Sequence, residues 1–264
     1  MKIVIILPAY NAEKTILQTL EEIPADYRQH ILLVDDASKD RTVEIARQAG
    51  IAVFEHPVNK GYGGNQKTCY REALKAGADI VVMLHPDHQY DARVIPDLVY
   101  PILRGEADAV FGSRMLGGRP LEGNMPRWKY VANVFLTAFA NLTFGRYLTE
   151  IHSGFRAYSR KYLNTVQFEA NSDDFIFDTE IIAQGMANNL FFREVAIETR
   201  YFPEASSINF KRSMVYGFGI LYVLVRYFLH TSKVLHCASL EPKTPETIEG
   251  TLPTREPQGK PANG

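Results

Sequence analysis

The chain has 264 residues, 46% of them hydrophobic and 22% charged, the proportions of an ordinary folded protein rather than a disordered, collagenous or disulfide-stapled one. Lys and Arg number 29 against 30 Asp and Glu, and a formal charge of -1 excludes a general attraction to nucleic acid. Cys69 and Cys237 lie far apart in no zinc-ligand spacing, so free thiols in a reducing compartment are expected, with no structural zinc.

Residues 3–7 form an apolar run of the kind buried on both faces of a parallel sheet, and Pro8 is expected to end it. Pro8 also cuts the run short of a signal-peptide core, so a cytoplasmic location is expected. A helical stretch over 12–22 follows, then a strand at 31–34, a polar turn, a helix over 42–49 and a strand at 51–54. The glycine-rich Gly61-Tyr62-Gly63-Gly64 reads as a strand-to-helix turn, because glycine serves where φ is positive. It leads into a helix ending near Gly77. A strand at 80–84, a helix over 94–103 and a strand at 109–112 complete a βαβαβα rhythm. After Arg114 come a Gly/Pro-rich loop over 117–126 and an apolar helix over 130–144, on which Asn133, Thr137 and Asn141 make a polar stripe. Three parts are expected: a nucleotide-binding α/β domain over 1–210, an apolar helical segment over 211–235 and a disordered tail over 236–264.

Ligands of an open parallel sheet bind beyond the carboxyl ends of the strands, so the residues after each strand carry the chemistry. Here they are Pro8-Ala9-Tyr10-Asn11, Asp35-Asp36, Glu55-His56, His85-Pro86-Asp87-His88-Gln89 and Ser113-Arg114. Neither GxGxxG after the first strand nor GxxxxGK[ST] occurs, which argues against a dinucleotide fold and a P-loop. Asp35-Asp36 reads either as a base or ribose contact or as a helix cap. His85, Asp87 and Gln89 alternate along an extended segment, and such an oxygen-rich set suits Mg²⁺ or Mn²⁺ completed by ligand phosphates.

Pro8-Ala9-Tyr10-Asn11, Val34-Asp35-Asp36-Ala37-Ser38, Asn59-Lys60-Gly61, Gly112-Ser113-Arg114 and Ser153-Gly154-Phe155-Arg156-Ala157 occur in the order seen in family 2 glycosyltransferases. The chain resembles an inverting, nucleotide-sugar-dependent transferase, most similar to the dolichyl-phosphate mannose and glucose synthases. The resemblance implies a GT-A fold: an α/β, Rossmann-like mixed sheet with flanking helices, here followed by an interfacial helix. It implies that Pro8, Ala9, Tyr10, Glu13, Asp36 and Arg114 bind the donor, with Asp36 on the nucleoside. The family's DxDxQ metal motif falls on His85, Asp87 and Gln89, with histidine in place of the first aspartate. Arg114, Lys129 and Asn133 match positions that meet phosphate in lipid-phosphate-using relatives, and Arg156, in the family's SGFRA segment, is implied to support that acceptor-phosphate pocket. Asp87 and Asp178 are the implied catalytic acids, Asp178 as base toward a hydroxyl acceptor. The relatives' later lysine has no counterpart in Ala205-Ser206-Ser207-Ile208.

The implied partners are a nucleotide sugar and either polyprenyl phosphate or a glycan hydroxyl, with nucleic acid excluded. Rival readings are a transferase onto a soluble or polysaccharide hydroxyl, a nucleotidyltransferase, and a non-catalytic nucleotide-sugar sensor. The aromatic-rich run 216–229 is shorter than the ~20 residues of a membrane span and contains Arg226. With Lys211, Arg212 and Lys233 around it, it is expected to lie peripherally in the headgroup layer. The alternative is that it packs on the globule or on a second copy in a homo-oligomer.

Overall fold

A computed structural model describes residues 1–117, 125–200 and 210–244, with the side chains of 210–212 excepted. Most of the Gly/Pro-rich loop, the Ala205-Ser206-Ser207-Ile208 segment, the side chains of Lys211 and Arg212, and the chain after 244 lie outside the described residues.

The first half alternates as its apolar runs require: β1 (Ile3–Ala9), α1 (Ile16–Glu22), β2 (Ile31–Asp35), α2 (Thr42–Gln48), β3 (Ala52–Glu55), α3 (Gly61–Lys75), β4 (Ile80–Met83), α4 (Ile95–Leu103) and β5 (Ala109–Ser113). The second half adds α5 (Arg127–Phe144), β6 (Arg156–Ser159), α6 (Arg160–Thr165), α7 (Phe177–Ala187), β7 (Phe192–Ala196) and α8 (Phe210–Thr231). The strands make one seven-stranded mixed sheet in the order β3-β2-β1-β4-β6-β5-β7, with β6 antiparallel to both neighbours and all other pairs parallel. Successive strand residues face opposite sides. Val4, Ile6, Leu32, Val34, Val81 and Met83 therefore join a core under α3, α5, α7 and α8. Ile5, Leu7, Leu33, Ile80 and Val82 join the other, under α1 and α4.

Pro8 does not end β1. Its carbonyl and missing N–H face the β4 side, where β4 pairing already stops at Met83, so the ladder loses nothing. The glycine-rich run is not a loose turn but the first turn of α3: a Cβ on Gly63 would lie 2.3 Å from the Ser172 carbonyl, and Gly63 N–H bonds Asp173 O at 2.8 Å. Close backbone approach, with φ of +83° at Gly61, is what the glycines permit.

Two expectations about the C-terminal part need correction. The apolar helix spans 22 residues, longer than the run 216–229, and Ile220, Val223, Leu224 and Tyr227 are buried in the main core. The tail does not begin at 236. Cys237 and Leu240 are buried, Asn188 Nδ2 donates to Leu240 O at 3.0 Å, and Lys243 N donates to Thr165 O at 2.8 Å, because this short stretch still carries apolar anchors.

Candidate active site

On the donor side, the loop after β1 is knitted to the loop after β2. Ala12 N donates to Thr42 Oγ1 at 2.7 Å, Glu13 N to Asp40 Oδ2 at 3.0 Å, and Arg41 N to Glu13 Oε2 at 3.0 Å. Glu13 thus braces the rim, while Pro8 and Ala9 are buried strand residues and Tyr10 stands exposed at their tip. Asp36 is placed inward rather than on the rim. Its Oδ1 accepts from Lys60 N at 2.8 Å and meets His56 Nδ1 at 2.8 Å, and its Oδ2 accepts from Gly61 N at 3.0 Å. His56 Nε2 in turn meets Thr68 Oγ1 at 2.9 Å. Asp36 therefore caps α3 from a neighbouring loop and complements its dipole. Its neighbour has the spare capacity: Asp35 accepts Ser38 N through Oδ2, while its buried Oδ1 has no partner among the described residues. Asp35 also lines a cleft of about 720 Å³ with Ser38, Asp40, Arg41 and His56.

Beyond β4, Asp87 Oδ1 accepts Gln89 N at 3.1 Å. Burial raises the pKa of Asp87 against the opposing pull of His85, and burial lowers that of His85. The imidazole of His85 stacks on Tyr62 with centroids 5.6 Å apart. Its Nε2 faces inward: a Cβ on Gly154 would lie 2.7 Å from it. Among the described residues no three His, Cys, Asp or Glu side chains converge as a self-sufficient metal site. What exists is one half-buried carboxylate with an imidazole and an amide nearby.

β6 runs antiparallel, so its start lies at the carboxyl ends of β4 and β5, and Ser153-Gly154-Phe155-Arg156 joins the same rim. Arg156 is buried and spent inside the protein, donating from Nε to Ser153 O at 2.6 Å and from Nη2 to Ile151 O at 3.1 Å. Its Nη1 lies 3.3 Å from Asp178 Oδ1. Asp178 also accepts Gln66 Nε2 at 3.2 Å and Tyr62 Oη at 2.9 Å, so both of its oxygens are held. Tyr62 thereby links the Asp87 side to Asp178.

Arg114 is buried and paired with Glu150, which accepts from its main-chain N at 2.8 Å and from its guanidinium. Lys129 and Asn133 project from the first turns of α5, Lys129 with its pKa lowered by burial and then by Arg114. Between these cations sits His152, which the motifs did not single out. Burial, then Arg114, Arg156 and Lys129, hold it at about 3, against a slight upward pull from the Asn133 main chain. Its Nδ1 is 3.5 Å from Tyr216 Oη on α8. The expected residues Arg114, Lys129, Asn133, Arg156 and Asp178 thus do converge, but the two arginines are already engaged.

Residues 4–167 match the model of glycosyl transferase family 2. The chain belongs to that family. This nucleotide-sugar glycosyltransferase is 32% identical to the protein MJ1222 of Methanocaldococcus jannaschii over 85% of this chain and 91% of that one. It is 31% identical to UDP-N-acetylglucosamine–dolichyl-phosphate N-acetylglucosaminyltransferase of Methanococcus voltae, over 88% of this chain and 98% of that one. Among solved structures, the transferase matches glucosyl-3-phosphoglycerate synthase of Mycobacterium tuberculosis, crystallised with Mn²⁺, UDP and glucosyl-3-phosphoglycerate, with a TM-score of 0.65. At 21% identity over 86% of this chain and 79% of that one, the match establishes the GT-A fold.

Proposed function

We propose that the transferase moves a sugar, with inversion, from a nucleoside diphosphate to a polyprenyl phosphate at a membrane surface. The observation that carries this reading is the acceptor side: Arg114, Lys129 and Arg156 gather around His152, and among the described residues the buried Asn133 Nδ2 and Thr137 Oγ1 beside them lack a hydrogen-bond partner. A phosphate is already ionised and needs cationic positioning, not a base. That agrees with Asp178, whose two oxygens serve Arg156, Gln66 and Tyr62; it positions Arg156 and Tyr62. The dolichyl-phosphate acceptor in the name of the Methanococcus voltae relative supports the same choice.

Membrane placement is supported by α5 and α8. Both meet His152 near their starts, through Asn133 and Tyr216, and Phe144 packs on Tyr227 at 4.8 Å near their ends, so they run parallel. Val131, Phe135 and Leu142 of α5 and Phe218, Tyr222 and Phe228 of α8 are exposed. Neither helix carries an acidic residue, while Arg127, Lys129 and Arg226 lie on them and Arg146 and Lys233 follow them, as an anionic headgroup layer requires.

On the donor side, Asp35 Oδ1 would accept from the nucleoside in the cleft it lines with Ser38 and Arg41. The residues after β4 fit a divalent cation bound weakly and completed by the donor's phosphates: Asp87 is half-buried, and partial burial raises its pKa, as for a carboxylate short of positive charge. Asp87 would hold the ion, with Gln89 and the Nδ1 of His85 beside it. Mg²⁺ or Mn²⁺ there neutralises charge on the leaving diphosphate. The test is label transfer from a panel of nucleotide sugars into a butanol-extractable product with a short polyprenyl phosphate as acceptor. Transfer should require the phosphate and be lost in excess EDTA. Transfer only to hydroxyl acceptors, or full turnover in EDTA, would reject the corresponding half of the proposal.

A further inference from the structure

The acceptor pocket contains more hydrogen-bonding capacity than the protein uses. Asn133 Nδ2, Thr137 Oγ1 and His152 Nε2 are all buried without a side-chain partner among the described residues. They form one connected group. Asn133 and Thr137 are one turn apart on α5, and His152 lies beside Asn133 and Tyr216, whose hydroxyl also meets Thr179. Buried polar atoms are normally satisfied, so three such atoms in one place point to a polar occupant. The nearby cations set its sign as negative.

The Tyr216 hydroxyl lies 3.5 Å from His152 Nδ1 and can donate to it or accept from it. In the tautomer where Tyr216 donates, the lone pair is on Nδ1 and the proton on Nε2, the ring atom without a side-chain partner among the described residues. A neutral N–H among three cations offers a directed hydrogen bond without adding a fourth charge to be desolvated.

We propose that His152 is a contact residue for the acceptor, its Nε2–H donating to an oxygen of the acceptor's phosphate beside the amide of Asn133. This rests on the phosphate-acceptor reading above. Arg114 and Arg156, held by Glu150, Asp178 and main-chain carbonyls, supply the field, and His152 and Asn133 supply the direct bonds.

The test uses the full chain with ¹⁵N-labelled histidine and geranyl phosphate as the probe, with geraniol and a nucleoside diphosphate as controls. The His152 Nε2 resonance should be that of a protonated, neutral nitrogen and should move saturably with geranyl phosphate but not with geraniol. His152→Leu should raise KM for geranyl phosphate about tenfold to a hundredfold, leave KM for the sugar donor unchanged, and be rescued in part by His152→Gln, which restores a donor. If His152→Leu does not fold, the wild-type resonance and the Gln variant decide. Normal transfer to geranyl phosphate with an indifferent Nε2 and an unchanged KM in the Gln or Leu variant overturns this inference alone, and the pocket then holds ordered water. A wild-type enzyme that neither binds geranyl phosphate nor transfers to it overturns the acceptor reading, and the role of His152 with it.

Discussion

At the tip of β2 two adjacent carboxylates meet different partners, because successive residues of a strand point to opposite sides. Asp36 faces His56 and the start of α3, and Asp35 faces the cleft with an unpartnered oxygen. Asp36→Ala should strip the cap and leave His56 and two N–H groups without their partner, costing about 2–4 kcal/mol of stability. Asp35→Ala, which gives up only the Ser38 N bond, should lower the melting temperature by less than Asp36→Ala and weaken nucleoside diphosphate binding by about 1–3 kcal/mol. Calorimetry on both variants separates these, and the opposite pattern would return the nucleoside role to Asp36. His152 provides a pH test. Its folded pKa of about 3 lies below the ordinary 6.5, so the unfolded chain binds the proton first. Its contribution to stability is present above pH ~6.5 and is lost as pH falls toward ~3, a change on the order of 5 kcal/mol. Denaturant titrations of His152→Gln should show a shallower loss across that window than the parent; equal slopes would remove His152 from the acid response.

Helices decide where the enzyme sits. One face of α8 is committed to the core through Ile220, Val223, Leu224 and Tyr227, so its 22 residues are not available as an independent span, despite a composition that would permit one. Its other face and the outer face of α5 each expose apolar residues, Phe218, Tyr222 and Phe228 on α8 and Val131, Phe135 and Leu142 on α5. The double variant Phe135→Glu, Phe218→Glu should retain its fold, since both side chains are exposed, and lose co-sedimentation with anionic vesicles. Vesicle-independent dimerisation that the double variant abolishes would instead identify the surface as a subunit interface.

Across the whole molecule, the stretch after α8 returns to the domain and holds α7, which carries Asp178, against the Phe168–Ala170 turn. Gln167 Nε2 donates to Ala238 O at 2.8 Å and to Glu241 O at 2.9 Å, and Lys243 Nζ lies 4.0 Å above the Phe168 ring. Truncation after His236 removes the buried Cys237 and Leu240 and should cost about 2–4 kcal/mol, lowering the melting temperature by several degrees. An unchanged thermogram would mean that this stretch is only a surface appendage.

Local pattern was enough for the α/β class and for the first five strands, because apolar runs and turn residues are set by neighbours a few positions apart. The ordered motifs were likewise enough to gather the rim residues. Two strands escaped: β6 has four residues and β7 carries Arg193 and Glu194, so neither makes an apolar run. Their pairing is what closes the site, since only antiparallel insertion of β6 between β4 and β5 carries Arg156 to the rim. Partnership was also invisible along the chain. That Glu150 takes Arg114, that Asp36 rather than Asp35 is used up inside, and that His152 is left with a ring nitrogen lacking a side-chain partner among the described residues are outcomes of contacts between residues remote in sequence. Residue types and their spacing determined what this protein can bind. Burial and partner choice, which only packing sets, decided which of those side chains remain free to do it.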